Sequence, residues 1–221
     1  KYLFKTKDKR LIESVSMIDD SRHTLCISSQ IGCSVDCSFC STGKMGIIRN
    51  LDTGEIIEQI ISIKHNRKKP ITNIVFMGMG EPFLNYNNVI KACEILTSPA
   101  GFNLSTKRIT ISTSGILPKI ERYINEKQKY KLAISLNASN NTMRNQLIPI
   151  NKKWPIEDIL NTIKKYQFNK YKPIMFEYVL INGINDSSNN AKELASLLKG
   201  IPCKINIIPY NTINNDYKRS K

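Results

Sequence analysis

Three of the six cysteines in this 221-residue chain fall within eight positions, in the stretch IGCSVDCSFCSTGK that runs from Ile31 to Lys44. Cys33, Cys37 and Cys40 have the spacing CxxxCxxC, which lets three soft thiolates on one short loop converge on one centre. Structural zinc takes four closed ligands, usually as two separated cysteine pairs. No second pair exists, and the two histidines, His23 and His65, are isolated. Three thiolates suit a 4Fe–4S cluster with one iron left open to a small molecule. A zinc site, or a chance crowding of cysteines, is the competing reading.

Composition narrows the setting of that chemistry. An apolar share of 41% and 221 residues suit one domain, or one with a small extension. No apolar run is long enough to cross a bilayer, and KYLFKTKDKR lacks the apolar stretch of a secretory signal. Clustered cysteines without such a signal point to a reducing compartment, which makes the chain cytoplasmic, or organellar in a eukaryotic source. The start without Met leads us to expect a piece of a longer protein. A net charge of +15 admits a polyanionic partner, but the excess is mostly Lys, so a solvated basic face is the plain reading for Arg49, Arg108 and Arg144.

The elements that must position the thiols read as a regular alternation. After a hairpin-like start over 2–17, six β-rich runs lie at 24–29, 73–78, 108–113, 131–136, 174–181 and 204–209. Helical segments follow the first five; one is expected from Asp52, where Asp52 and Glu55 have capping-box spacing, and others near Asn85, Ile116, Trp154 and Ser187. Apolar strands alternating with amphipathic helices give parallel βα units. The expected fold is therefore α/β, a partial (βα)6 TIM-like barrel with a short N-terminal β extension over 1–20 and the barrel core over 21–221. In such barrels chemistry gathers on loops leaving the C-terminal ends of the strands. Those loops are the cysteine loop, GMGEPFLNY, STSG, SLNASNN, NGIND and PYN, so the cysteine rim is the active one.

The motifs then become specific. CxxxCxxC ahead of a barrel resembles the radical S-adenosylmethionine (SAM) superfamily, and TLCISSQIGCSVDCSFCSTGKMGIIRNL, VFMGMGEPFLNY, AISLNAS, IPINKKWP and CKINIIPYN resemble the RlmN/Cfr family of RNA adenosine methyltransferases. Within it the STGKMGIIRNL and GMGEP strings are more like the C2-methylating RlmN branch than the C8-methylating Cfr branch. The resemblance implies that Cys33, Cys37 and Cys40 ligate a 4Fe–4S cluster. It implies that Gly80, Glu81, Ser112, Ser135, Leu136, Asn137 and Asn211 contact S-adenosylmethionine, with Glu81 facing the amino group as a carboxylate suits an ammonium. The family usually has His where Asn137 stands. Glu13 matches a carboxylate that takes the C2 proton, a task helped by partial burial. Cys26 matches the cysteine whose disulfide with a methyl-carrying cysteine releases the product, two S-adenosylmethionine molecules being used per turnover.

That methyl-carrying cysteine has no matching string here; Cys93 and Cys203 read as small buried hydrophobes. We therefore expect the radical core of a larger enzyme. The implied substrates are 23S rRNA and tRNA, the implied reductant is a flavodoxin- or ferredoxin-type donor, and a monomer with no membrane association is expected. A Cfr-type C8 methyltransferase, another radical enzyme acting on a small molecule or peptide, and a non-catalytic Fe–S or zinc RNA-binding module stay open as alternatives.

Overall fold

The structure, a computed structural model, describes residues 1–65, 69–165, 173–213 and 216–220. In chain order its elements are β1 (Tyr2–Lys5), β2 (Leu11–Ile18), β3 (His23–Cys26), β4 (Gln30–Gly32), α1 (Ser41–Lys44), β5 (Ile47–Asn50), α2 (Thr53–His65), β6 (Asn73–Phe76), α3 (Tyr86–Thr97), β7 (Ile109–Thr113) and α4 (Leu117–Asn125). There follow β8 (Lys131–Ser135), α5 (Asn141–Leu147), α6 (Ile156–Lys165), β9 (Ile174–Leu180), α7 (Ser188–Leu197) and β10 (Cys203–Pro209). The six β-rich runs expected from the sequence are β3, β6, β7, β8, β9 and β10, each within two or three residues of its expected bounds. No helix among the described residues is long and apolar enough to cross a membrane.

The chain divides into two compact units, residues 1–34, 45–112 and 129–131 in the first, and 35–44, 113–128 and 132–221 in the second. In the first, β1, β2 and β3 form an antiparallel meander, and β3, β6 and β7 then run parallel. Parallel strands covered by helices read as continuous apolar runs, and Leu25, Ile27, Ile74, Phe76, Ile109 and Ile111 are fully buried. Helix α2 starts at the anticipated capping box: Glu55 N donates to Asp52 Oδ1 and Asp52 N to Glu55 Oε2. Its buried stripe, Ile56, Gln59, Ile60 and Ile63, has helical spacing with one polar member.

In the second unit β8, β9 and β10 pair in parallel. Helix α6 buries Ile156, Ile159, Leu160 and Ile163, and α7 opens with a reciprocal cap between Ser187 and Asn190. Two features were not read from sequence. The β4–β5 hairpin frames the cysteine loop, and the connection from Asn137 to Lys153 contains α5 and a 3-10 turn, Pro149–Lys152.

Candidate active site

The cysteine loop is held at both ends by glycines. Cys33 N donates to Gly46 O at 2.9 Å, and Gly32 has φ +76 with the position of a Cβ only 1.8 Å from Gly46 O, so no side chain fits there. In the second unit Cys40 N donates to Cys37 O, and Ser38 N donates to Leu147 O at the end of α5. A Cβ on Gly43 would lie 2.9 Å from Cys37 N, which keeps α1 close against the cysteine turn. Cys33, Cys37 and Cys40 are all half-buried, and none of the six cysteines is in a disulfide, Cys26 included. The donors on this loop are thus three reduced thiols of intermediate access, a set that fits an iron–sulfur cluster by its chemistry. Cys33 belongs to the first unit, and Cys37 and Cys40 to the second. Among the described residues no group of three or more His, Cys, Asp or Glu side chains is gathered to hold a metal ion. Cys93 is buried in α3, where burial pushes its thiol well above its ordinary range, and Cys203 is half-buried at the start of β10.

Around GMGEP the first unit is laced by buried polar side chains. Ser28 Oγ donates to Glu13 O at 2.6 Å and accepts from Met79 N at 2.9 Å. Gln59 receives Ser28 N and Ser14 Oγ on its Oε1 and donates to Ser28 O, so the polar member of the α2 stripe is the anchor of that serine. Gly80 has φ +97, and a Cβ there would fall 2.5 Å from Gln30 Cβ. Gln30 accepts from Glu81 N at 2.8 Å and donates to Asn50. The Glu81 carboxylate caps the turn Pro82–Asn85 by accepting from Phe83 N at 2.9 Å. The main chain at Glu13 and the GMGEP loop thus meet through Ser28, while Cys26, two residues earlier, stands opposite Val15 on β2. Glu13 itself is half-exposed and paired with Lys1 at 2.8 Å. Ser112 is buried in β7.

In the second unit Ser135 Oγ donates to Glu177 Oε2 at 3.0 Å, and Leu136 N and Asn137 N both donate to Glu177 O. Asn137 is buried with φ +56; its Oδ1 accepts from Val179 N at 2.8 Å, and its carbonyl accepts from Asn185 Nδ2 at 2.9 Å. Asn211 is exposed just beyond β10.

The basic residues depart from expectation. Arg144 is 0% exposed, not solvated. It donates to the carbonyls of Ser114, Ser135 and Leu136 and to Asn151 Oδ1. Burial pushes its guanidinium down to about 10, against the opposing pull of Cys37. Arg49 is clamped between Asp8 and Glu55 at 2.8 and 2.7 Å and so is committed to the fold. Arg108 is exposed, as expected. Sequence reasoning missed Ser28, Gln30, Gln59 and Asn185; of these only Gln59 carried a signal, as a polar residue inside an apolar stripe.

Comparison with known proteins places these features in context. Residues 27–195 match the Radical SAM superfamily. The chain is 49% identical over 211 residues to a probable dual-specificity RNA methyltransferase RlmN of Thermotoga neapolitana, and 47% identical over 216 residues to that of Dictyoglomus turgidum. Each alignment covers 96% of this chain but 62% of the relative, so the chain spans less than two thirds of the curated relatives it matches. It superposes on the crystal structure of a radical SAM methyltransferase from Sphaerobacter thermophilus with a TM-score of 0.94 and 43% identity, covering 99% of this chain and 65% of that one. The partial α/β barrel expected from the alternation is therefore the fold.

Proposed function

The chain belongs to the Radical SAM superfamily, and on that premise we propose that it forms the radical core of an RNA methyltransferase acting at C2 of adenosine. The observation that carries the reading is its 49% identity, over nearly the whole chain, to an RNA methyltransferase. The three reduced thiols in CxxxCxxC support it.

Cys33, Cys37 and Cys40 would hold a 4Fe–4S cluster, and S-adenosylmethionine would bind beside it. When bound, the cluster supplies the electron for reductive cleavage of that cofactor. The chain's own residues bind and orient. Gly80, whose Cβ position is taken by Gln30, lets the loop turn at positive φ, and Glu81 offers a carboxylate to the cofactor's ammonium. Ser112, Ser135, Leu136, Asn137 and Asn211 complete the contacts; with Asn137 Oδ1 taken by Val179 N, its amide NH2 is the group that turns to the ligand. Glu13 would take the C2 proton once carbon has been added to the ring, and Cys26 would release the product by a disulfide with a methyl-carrying cysteine for which this sequence has no matching string. Carbon 2 of adenine is electrophilic and bears no acidic proton, so base-plus-nucleophile methylation fails there and a radical route answers the difficulty. The substrates are 23S rRNA and tRNA, and a flavodoxin- or ferredoxin-type protein delivers the electron. The enzyme acts as a cytoplasmic monomer.

Anaerobic reconstitution with iron and sulfide, followed by EPR of the reduced protein with and without S-adenosylmethionine, tests the reading. A 4Fe–4S signal that shifts when the cofactor is added is the expected result. A chain that takes one zinc and gives no such signal refutes it.

A further inference from the structure

Arg144 is used by none of these roles, yet it is the largest fully buried side chain among the described residues. Its donors end on the carbonyls of Ser114, at the exit of β7, and of Ser135 and Leu136, at the exit of β8, and on Asn151 Oδ1. Asn151 is itself buried and donates to Asn141 and Asn145, which ties the guanidinium to the first residue and the next turn of α5. The same helix holds the cysteine turn, because Ser38 N donates to Leu147 O at 3.0 Å. All four acceptors are neutral. A cation taken out of water and paired only with dipoles is among the costliest groups a core can hold, and its field inside is weakly screened. Ser38 is the chain neighbour of Cys37, so the turn held by α5 carries that cysteine on the helix that carries Arg144, and the charge of Cys37 opposes the effect of burial on the guanidinium.

We infer that Arg144 is a positioning residue of the cluster site: it fixes the exits of β7 and β8 and sets a permanent positive charge near Cys37 that raises the cluster's reduction potential. The inference rests on the radical reading above. An added electron makes the thiolate-bound cluster more negative, so a buried cation stabilises the reduced form more than the oxidised one. Net charge around a cluster is one of the protein's levers on its potential.

The test is an EPR-monitored dithionite titration of the full reconstituted chain, with iron content measured in parallel. Arg144→Gln removes the charge and keeps an amide; it should lower the midpoint by an amount on the order of a tenfold change in the reduction equilibrium, 59 mV for one electron. Arg144→Lys keeps the charge and should stay near wild type in midpoint, while S-adenosylmethionine binding in equilibrium dialysis weakens in both variants. Asn151→Asp sets a carboxylate against Nη1, retains the arginine, and should move the midpoint the same way as Arg144→Gln. If Arg144→Gln does not fold, Asn151→Asp decides the matter alone. Unchanged midpoints in the neutralised variants at full iron content overturn the inference and leave the function standing. A wild-type chain that takes up no cluster overturns both.

Discussion

Ser28→Ala is the most informative single change in the first unit, because one hydroxyl there joins strand β2 to the GMGEP loop. Its oxygen is 0% exposed, donates to Glu13 O at 2.6 Å and accepts from Met79 N at 2.9 Å. Each such neutral hydrogen bond contributes about 0.5–1.5 kcal/mol net, and stranding a buried N–H costs a further 1–3 kcal/mol or so. The alanine variant strands Met79 N–H, which no water can reach, so a loss of roughly 2–4 kcal/mol is expected. That is a large share of the ~5–15 kcal/mol by which domains are stable. Urea unfolding followed by circular dichroism measures it, with an unchanged slope confirming that the same surface is exposed. Met79 also leads into Gly80 and Glu81, so S-adenosylmethionine affinity should drop by about tenfold, equivalent to about 1.4 kcal/mol. A variant that unfolds within about 0.5 kcal/mol of wild type and binds the cofactor equally well would show that the GMGEP loop is held by something other than Ser28.

Gly80→Ala should cost roughly 2–4 kcal/mol, since its φ of +97 strains any L residue and the new methyl falls 2.5 Å from Gln30 Cβ. Thermal melting reads the loss, and equal melting temperatures would contradict the crowding. Arg49 holds the Asp8 and Glu55 carboxyls below their ordinary values of 3.8 and 4.5. Carboxyls lowered in the folded state stabilise above those ordinary values, and the benefit is lost as pH falls through the lower folded ones. The gap in melting temperature between wild type and Arg49→Gln should therefore be present at about pH 7 and close progressively below about pH 4.5. A gap that does not vary with pH would remove the ion pairs as its cause.

The six runs were legible because each is apolar and the first five are followed by a helical pattern, and Asp52 and Glu55 announced α2 by chemistry that is wholly local. The cysteine loop and GMGEP stood out for the same reason, as short strings whose spacing is their meaning. What stayed hidden depends on partners far apart in the chain. Ser28 finds Met79 and Gln59 only after β3 and β6 have paired. Arg144 looked like any surface arginine, since nothing within a few residues reveals that carbonyls at the ends of two strands await its fork. The β4–β5 hairpin escaped because a three-residue strand, Gln30–Gly32, is too short for periodicity to register.

The backbone at Asn137 has a consequence for which residues can ever occupy that place. With φ at +56, the left-handed region excludes β-branched and bulky side chains and favours glycine, asparagine, aspartate and histidine. The hydrogen bond from Val179 N asks in addition for an acceptor attached directly to Cγ. Asparagine meets that demand with Oδ1, and histidine meets it with Nδ1. An asparagine standing where the resemblance implies histidine is thus a move within a short alphabet written by the main chain, and a library built at this position should return those few letters whatever ligand is used to select it.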